Sequence, residues 1–207
     1  MHSVIDQKII AQKLLQGAQC TDPFAMIAGG AVRDWYFNKT ARDLDLYMRM
    51  PLQNTSALVK RYIQFVLMGT NIRQLERNDP DHNYAALPDL KWVYEFEFEG
   101  MKVNLMVMEK GVDTEILANF DTSICRCYFD GRESHFTEDF LTTVRTRTII
   151  IHDNYTGEEA HIRKLAKYYP QFCFAKIIKV EPTEELSVSF DQSAPSPVHS
   201  KPKDIPW

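Results

Sequence analysis

Residues 24–34 read FAMIAGGAVRD and join an apolar run to a pair of glycines and the start of a helical pattern. The run at 24–28 predicts a short buried strand, and residues 31–37 fit one or two helical turns. Glycine tolerates a positive φ and lets the backbone approach a ligand closely. The segment therefore predicts a strand, a tight turn at Gly29-Gly30 and a helix in direct succession.

Two aspartates stand on the next predicted strand, at residues 43–48. Asp43, Asp45 and Tyr47 alternate with apolar residues, which is the period of a half-buried strand, so both carboxylates should face the same side. Carboxylates two apart on one strand can bind a pair of divalent cations, and the N–H groups of a glycine turn can bind phosphates. A helix that begins after the glycines adds the positive end of its dipole.

Each feature alone has a plainer explanation. A Gly-Gly pair usually marks only a turn, and Asp-x-Asp is more often a solvated strand face than a metal site. A hydrophobic core alone, however, does not require a Gly-Gly turn and an Asp-x-Asp strand together within residues 24–48. Together they predict a metal-dependent nucleotidyltransferase with a two-metal site for Mg²⁺ or Mn²⁺, which moves a nucleoside monophosphate from a nucleoside triphosphate (NTP) to an acceptor hydroxyl and releases pyrophosphate.

Length and composition favour one globular domain. The chain has 207 residues, of which 44% are apolar, and a net charge of −4. No overall positive field attracts phosphate backbones, so an RNA acceptor would need a local basic patch. No apolar run reaches the ~20 residues that span a bilayer, which predicts a soluble, intracellular protein without membrane contact. We expect a nucleotidyltransferase domain over residues 1–180 and a flexible, proline- and serine-rich tail over 181–207.

Hydrophobic periodicity predicts the other elements. We expect a helix at 3–16 capped by Ser3, and a helix at 54–68 capped by Asn54 or Thr55. Glu99-Gly100 predicts a hairpin between strands at 92–98 and 101–108. The remaining expectations are a loop at 76–89, a short helix at 112–118, a strand at 122–129 before an Asp130-Gly131 turn, and helices at 138–147 and 158–169 flanking an apolar run at 148–151.

The motif GGAVRD at 29–34, followed by RDLDLYM at 42–48, resembles the signature of CCA-adding tRNA nucleotidyltransferases and bacterial poly(A) polymerases, within the DNA polymerase beta superfamily. The resemblance implies an α/β (α+β) fold of polymerase beta type, with a mixed sheet flanked by helices. It implies that Gly29 and Gly30 contact the triphosphate, that Arg33 and Asp34 belong to the same nucleotide-binding turn, and that Asp43 and Asp45 are the catalytic metal ligands.

The resemblance is looser in the second half of the chain. The segment at 119–124 is similar to the family's Arg-Arg-Asp-Phe-Thr-Ile-Asn segment and implies that Asp121 binds nucleotide, although the two arginines are absent, with Ala118 and Asn119 in this stretch. The segment at 159–163 resembles the Glu-Asp-x-x-Arg helix that pairs with the incoming base, which implies a role for Arg163, with Ala160 replacing the aspartate. The short chain is typical of a compact, stand-alone member of phage type.

Several alternatives stay open at this stage. Relatives often use a third carboxylate on a neighbouring strand, where this chain has Asn104; Glu95 or Glu97 could substitute, or could form an exposed polar face. The acceptor could be an RNA 3′ end, a protein side chain or a small molecule. The whole chain could also be an inactive nucleotide-binding or protein-interaction module on the same fold. One basic group could contact a phosphate-bearing acceptor or form a solvated face: Arg126, Arg145, Arg147, Arg163, Lys164 and Lys167.

Overall fold

The computed structural model describes residues 2–50, 55–76, 87, 89–110, 114–152 and 159–176. The helices are α1 (Val4–Gln19), α2 (Gly30–Tyr36), α3 (Ser56–Phe65), α4 (Glu138–Thr146) and α5 (Glu159–Tyr168), and 3₁₀ helices span Thr114–Asn119 and Ser123–Cys125. The strands are β1 (Met26–Ala28), β2 (Asp43–Arg49), β3 (Thr70–Leu75), β4 (Leu90–Phe98), β5 (Met101–Met108), β6 (Cys127–Phe129), β7 (Ser134–Phe136), β8 (Thr148–Ile151) and β9 (Cys173–Lys176).

Seven of these strands form one sheet in the order β3-β4-β5-β2-β1-β6-β7. Strands β2 and β5 are parallel, and every other neighbouring pair in this sheet is antiparallel. Strands β8 and β9 form a separate parallel pair. The predicted mixed sheet flanked by helices is confirmed.

The two faces of the large sheet differ sharply. Leu44, Leu46 and Val103 are fully buried on one face, while Asp43 and Asp45 project from the other. Helices α1 and α3 both pack on the apolar face. Gln7 of α1 contacts Met101, and Ile63 of α3 meets Phe96 across Gly69, where an added Cβ would lie only 2.4 Å from the Phe96 ring. The face that carries Asp43 and Asp45 therefore lies opposite these two helices.

A buried glutamine of α1 holds the chain that leads into β2. The Gln7 amide donates to the Ala41 carbonyl (2.8 Å), and its oxygen accepts from the Ala41 N–H (2.8 Å) and from the Trp35 indole (3.0 Å). Because a buried amide costs free energy unless its groups are paired, this arrangement favours one position of the loop between α2 and β2. Strand β2 begins at Asp43, directly after that loop.

The predicted turns are largely confirmed. Ser3 and Asp6 form a reciprocal capping box at the start of α1, and Thr55 caps α3. Glu99 and Gly100 have φ of 45° and 77°, as expected for the two central residues of a type I′ hairpin turn. Strands β4 and β5 accordingly pair without interruption from Trp92–Val107 to Phe98–Met101.

Several predicted boundaries were wrong. Strand β1 begins at Met26, and Phe24 is 73% exposed instead of belonging to a buried run. Residues 122–129 do not form one strand, because a 3₁₀ helix at Ser123–Cys125 precedes the short β6. Strands β3, β7 and β9 had no counterpart in the sequence analysis. Most of the loop expected at 76–89 and the whole tail expected at 181–207 lie outside the described residues, as does the end of the domain expected at 180.

None of the helices that the structure describes combines the length and the apolar character required to cross a membrane.

Candidate active site

The glycine turn lies between β1 and α2. Gly29 has φ 80° and ψ −125°, a conformation that L side chains rarely adopt, and its N–H donates to the Cys127 carbonyl (2.9 Å). The first intrahelical bond of α2 runs from the Arg33 N–H to the Gly29 carbonyl (3.1 Å). The Gly29 N–H is therefore bonded to β6 of the sheet. The N–H groups that follow it, from Gly30 up to the residue before Arg33, come before the first hydrogen bond within the helix.

Asp43 and Asp45 occupy the first and third positions of β2 and are both half-buried. Their alternation with fully buried Leu44 places both carboxylates on the same face of the sheet, as predicted. Burial, reinforced by the negative charge of Asp43, raises the pKa of Asp45 to about 7. A carboxylate with a raised pKa, beside a second carboxylate on the same strand face, is a strong candidate for binding divalent cations.

A polar row crosses the neighbouring strands from Asp45. Asn104 of β5 is in register with Asp45 and donates to its Oδ1 (3.0 Å). Glu95 of β4 is in register with Asn104, and its carboxylate pairs with Lys102 and with Arg73 (3.1 Å). Asn104 therefore occupies the position next to Asp45 that the sequence suggested for a third ligand, and Glu95 is neutralised by two cations.

Phe120 connects the glycine turn to the aspartate face. An added Cβ on Gly29 would lie 3.1 Å from the Phe120 ring, and that ring packs on Tyr47 with a centroid distance of 5.8 Å. Tyr47 stands two residues after Asp45 on β2 and so projects from the same face. The structure thus brings Gly29, Gly30, Asp43 and Asp45 to one region of the sheet.

Arg33 and Asp34 belong to a small network that reaches the end of α5. Arg33 donates through Nε to Asp34 (2.8 Å) and to the Tyr169 hydroxyl (3.1 Å), and through a terminal nitrogen to Cys125 (3.2 Å). The Tyr169 hydroxyl donates to Asp34 (2.5 Å). Burial raises the pKa of Tyr169 above its ordinary value, so its hydroxyl remains a hydrogen-bond donor. The network ties the α2 turn to a residue 136 positions later in the chain.

Removing the Tyr169 hydroxyl should loosen this connection. Tyr169→Phe deprives Asp34 of a short hydrogen bond in a largely buried setting, so we expect a loss of about 1–2 kcal/mol in the free energy of unfolding. Tyr168→Phe is the matched control, because Tyr168 is the exposed neighbour on the same helix end. Urea denaturation of both variants measures the difference. Equal stability of the two variants would show that the network contributes nothing.

Asp121 and Arg163 are the other two predicted nucleotide-binding residues. Asp121 follows Phe120 directly, and its carbonyl accepts from the His152 N–H (2.8 Å), which links it to the end of β8. Arg163 is an exposed residue of α5. Their predicted roles remain predictions.

Arg126 has a structural task in this part of the chain. Its guanidinium pairs with Asp139 (2.6 Å) and donates to the carbonyls of Ala118 (2.8 Å) and Phe120 (3.2 Å). These bonds fix the segment that presents Phe120 to the glycine turn. Arg145 is likewise paired, with Glu138. Two members of the predicted basic group are therefore engaged within the protein.

A second group of potential metal ligands lies on the β6–β7 hairpin. The ligand atoms of Asp130, Glu133 and His135 lie within 4.8 Å of one another. Asp130 already accepts from the N–H groups of Arg132 (2.7 Å) and Glu133 (2.8 Å), and from His135 (2.9 Å). These contacts stabilise the hairpin turn and account for the cluster without a metal ion.

Sequence reasoning missed Phe120 and Tyr169 as neighbours of the site. Phe120 stands in the segment beside Asp121, where the resemblance implies a role for Asp121 alone, and Tyr169 belongs to no motif with recognisable spacing. Tyr169 is only 1% exposed, but its ring lies under the Lys39 ammonium at 4.2 Å and its hydroxyl binds Arg33 and Asp34. A buried tyrosine generally needs a partner for its hydroxyl, which is the only general signal that could have indicated the network.

Solved structures of CCA-adding enzymes share the fold. The chain matches a CCA-adding enzyme in complex with CTP with a TM-score of 0.55 and 12% identity, over 86% of this chain and 44% of that one. An apo form gives a TM-score of 0.52 and 13% identity, over 84% and 41%. The Thermotoga maritima CCA-adding enzyme complexed with tRNA gives 0.53 and 11%, over 86% and 43%. The polymerase beta-type nucleotidyltransferase fold is therefore confirmed.

These similarities are limited to the fold, since the identities are low and the chain spans only about two fifths of the length of those enzymes. No curated protein matches the chain. A sequence profile does match: that of the Gabija anti-defense 2 family (Gad2) covers residues 5–147, which include β1, the glycine turn, β2 and β5. This chain therefore belongs to the Gabija anti-defense 2 family.

Proposed function

We propose that this protein is a metal-dependent nucleotidyltransferase, which moves a nucleoside monophosphate from an NTP to an acceptor hydroxyl and releases pyrophosphate. The observation on which the proposal depends is the half-buried pair Asp43 and Asp45, on one strand face beside the Gly29-Gly30 turn. A structural core gains nothing from a carboxylate such as that of Asp45, whose ionisation is disfavoured by burial and by a neighbouring carboxylate. Divalent cations bound by the two carboxylates would explain this arrangement.

The side chains present fit a divalent cation. Asp43 and Asp45 offer carboxylate oxygens, which are ligands that Mg²⁺ and Mn²⁺ prefer. When bound, such ions neutralise charge on the triphosphate and favour the deprotonated form of the acceptor hydroxyl. In the reaction, the acceptor hydroxyl loses its proton to solvent and its oxygen forms a bond to the α-phosphorus. The bond from that phosphorus to the bridging oxygen breaks, and its electron pair leaves with pyrophosphate.

The chain itself positions the substrate. The conformation of Gly29 turns the backbone so that the N–H groups from Gly30 onward can face phosphate oxygens. The Arg33 guanidinium lies 3.6 Å from the position of a Cβ on Gly30, and its Asp34 partner holds it there. Asn104 orients Asp45 by donating to its Oδ1. We include Asp121 and Arg163 as further nucleotide contacts on the basis of the motif resemblance.

Transfer of label tests the proposal. Purified protein is incubated with Mn²⁺ and with NTPs labelled at either the α- or the γ-phosphate, together with RNA, protein or small-molecule acceptors. We expect α-label on an acceptor and γ-label only in released pyrophosphate. Asp43→Asn/Asp45→Asn should reduce the transfer by at least about 10³-fold, because the charge-stabilising centre is lost. Asp130→Asn, in the hairpin cluster, is the control that should retain it. Equal transfer by the double variant would refute the proposal.

A second candidate is a non-catalytic module that acts by binding. The neutral amide of Asn104, in the position that suits a third carboxylate, favours this candidate. The family description, Gabija anti-defense 2, is compatible with either an enzyme or a binder that counteracts the Gabija defence.

Suppression of the Gabija defence in cells separates the two candidates. If the proposed activity is the means, wild-type protein should suppress the defence and Asp43→Asn/Asp45→Asn should not, at equal expression and with equal resistance to proteolysis. Full suppression by the double variant would instead establish the binding module.

A further inference from the structure

We propose that Asn104 is a metal ligand of this site and binds a divalent cation through Oδ1, beside Asp43 and Asp45. The inference rests on the proposed function, since it concerns the same site. It assigns a chemical role to a buried amide, and it predicts a site with a neutral third ligand.

The backbone places Asn104 in the required position. Strands β2 and β5 are parallel, with Asp45 opposite Asn104 and Asp43 opposite Lys102. Residues in register on adjacent strands project from the same face and lie close enough for direct contact. Asn104 is only 2% exposed, so its amide is enclosed at the floor of the site and is not a surface group.

The orientation of the amide follows from its partner. The Asn104 nitrogen donates to Asp45 Oδ1 at 3.0 Å, so the nitrogen is the end of the amide that faces this carboxylate. Oδ1 belongs to the same rigid planar group and therefore lies near the same carboxylate. Among the residues that the structure describes, this oxygen is buried and has no hydrogen-bond partner.

A buried amide oxygen without a partner is costly, and it needs a donor or a cation. Rotation about the broad terminal torsion of asparagine can direct Oδ1 toward an ion held by the two aspartates. The nearest alternative carboxylate in the row is Glu95, and Lys102 and Arg73 already neutralise it. Asn104 is thus the group best placed to complete the ligand set.

A neutral third ligand has a measurable consequence. Asp43 and Asp45 contribute two negative charges at most, so divalent ions should bind weakly to the protein alone. The phosphates of an NTP add the missing negative charge, and the affinity for the ion should rise when nucleotide is present. Asn104→Asp supplies that charge from the protein and should increase the affinity for Mn²⁺ in the absence of nucleotide.

The test uses Mn²⁺ alone, followed by electron paramagnetic resonance. Protein carrying ¹³C only at the asparagine side-chain carbonyl should show a hyperfine coupling from a directly ligated amide, and Asn104→Leu, of similar size, should abolish that coupling. Titration should show Mn²⁺ bound at least about tenfold more tightly by Asn104→Asp and about tenfold more weakly by Asn104→Leu than by wild type. Thermal unfolding verifies that both variants are folded.

The controls separate this inference from the proposed function. If Asp45→Asn removes Mn²⁺ binding but wild type shows no ¹³C coupling, Asn104 is not a ligand and the inference fails while the metal site stands. If Asp45→Asn binds Mn²⁺ as wild type does, the metal site itself is wrong and both proposals fail together.

Discussion

Asp45→Asn is expected to unfold at a higher temperature than the wild type in metal-free buffer at pH 8, and at the same time to lose nucleotidyl transfer. In the wild type, burial and the neighbouring Asp43 make the ionised form of Asp45 unfavourable. Asparagine removes the charge but keeps an oxygen that can accept the hydrogen bond from Asn104. The substitution thus relieves repulsion in the folded protein while it removes a metal ligand.

The pH dependence follows from the direction of the pKa shift. The pKa of Asp45 is raised in the folded protein, from 3.8 to about 7, so the folded state binds its proton more tightly than the unfolded state. The stability contributed by the protonated form is present below pH 4 and is lost as the pH rises through 7. Asp45→Asn should therefore match wild type near pH 4 and exceed it at pH 8, by on the order of 2 kcal/mol, or about 4–8 °C in Tm.

Differential scanning fluorimetry at both pH values measures this effect. The same measurement with added Mn²⁺ tests whether the metal ion stabilises the wild type. Mn²⁺ should raise the Tm of wild type and not that of Asp45→Asn, because only a species that binds the folded state stabilises it. Asp130→Asn is a suitable comparison, since its carboxylate caps a hairpin turn and should be stabilising. A lower Tm for Asp45→Asn at pH 8 without metal would contradict the claim that the ionised form of Asp45 destabilises the folded protein.

Gly29→Ala should have the second large effect. The φ of 80° is unfavourable for alanine, and the added Cβ would lie 3.1 Å from the Phe120 ring. We expect a loss of about 1–3 kcal/mol in the free energy of unfolding from backbone strain. Because either the turn or Phe120 must shift, the affinity for NTP should fall at least about tenfold, which corresponds to ~1.4 kcal/mol.

Gly131→Ala separates strain from function. Gly131 also has a positive φ, of 96°, and an added Cβ would lie in ordinary contact with Leu15 at 3.5 Å, in the turn after β6. This control should lose a similar amount of stability and keep its affinity for NTP, as measured by isothermal titration calorimetry. If both variants bind NTP equally well, the glycine turn does not contact the triphosphate.

Local patterns were sufficient to predict the part of the fold that presents the site. The alternation around Asp43 and Asp45 indicated β2 and the shared face of its carboxylates, and Glu99-Gly100 indicated the β4–β5 hairpin. These predictions succeeded because periodicity and turn chemistry act over a few residues. Strand β3 was missed for the opposite reason. It is an edge strand whose residues are mostly exposed, so it carries no alternation of apolar and polar side chains.

Contacts between distant segments could not be predicted from periodicity. The parallel pairing of β2 with β5 places Asn104 beside Asp45 across 59 positions of sequence, and Tyr169 reaches Asp34 across 135. No local rule specifies such pairs, because they depend on how the whole sheet is ordered. The sequence could suggest Asn104 only through a resemblance to relatives with a carboxylate there, whereas its buried oxygen became visible in the structure.

The most direct test of the central claim is a crystal structure with Mn²⁺ and a non-hydrolysable NTP analogue, analysed by anomalous scattering at the manganese edge. We expect manganese on the carboxylates of Asp43 and Asp45 and the triphosphate against the Gly29-Gly30 turn. Manganese found only at Asp130, Glu133 and His135, or nucleotide bound away from that turn, would contradict it.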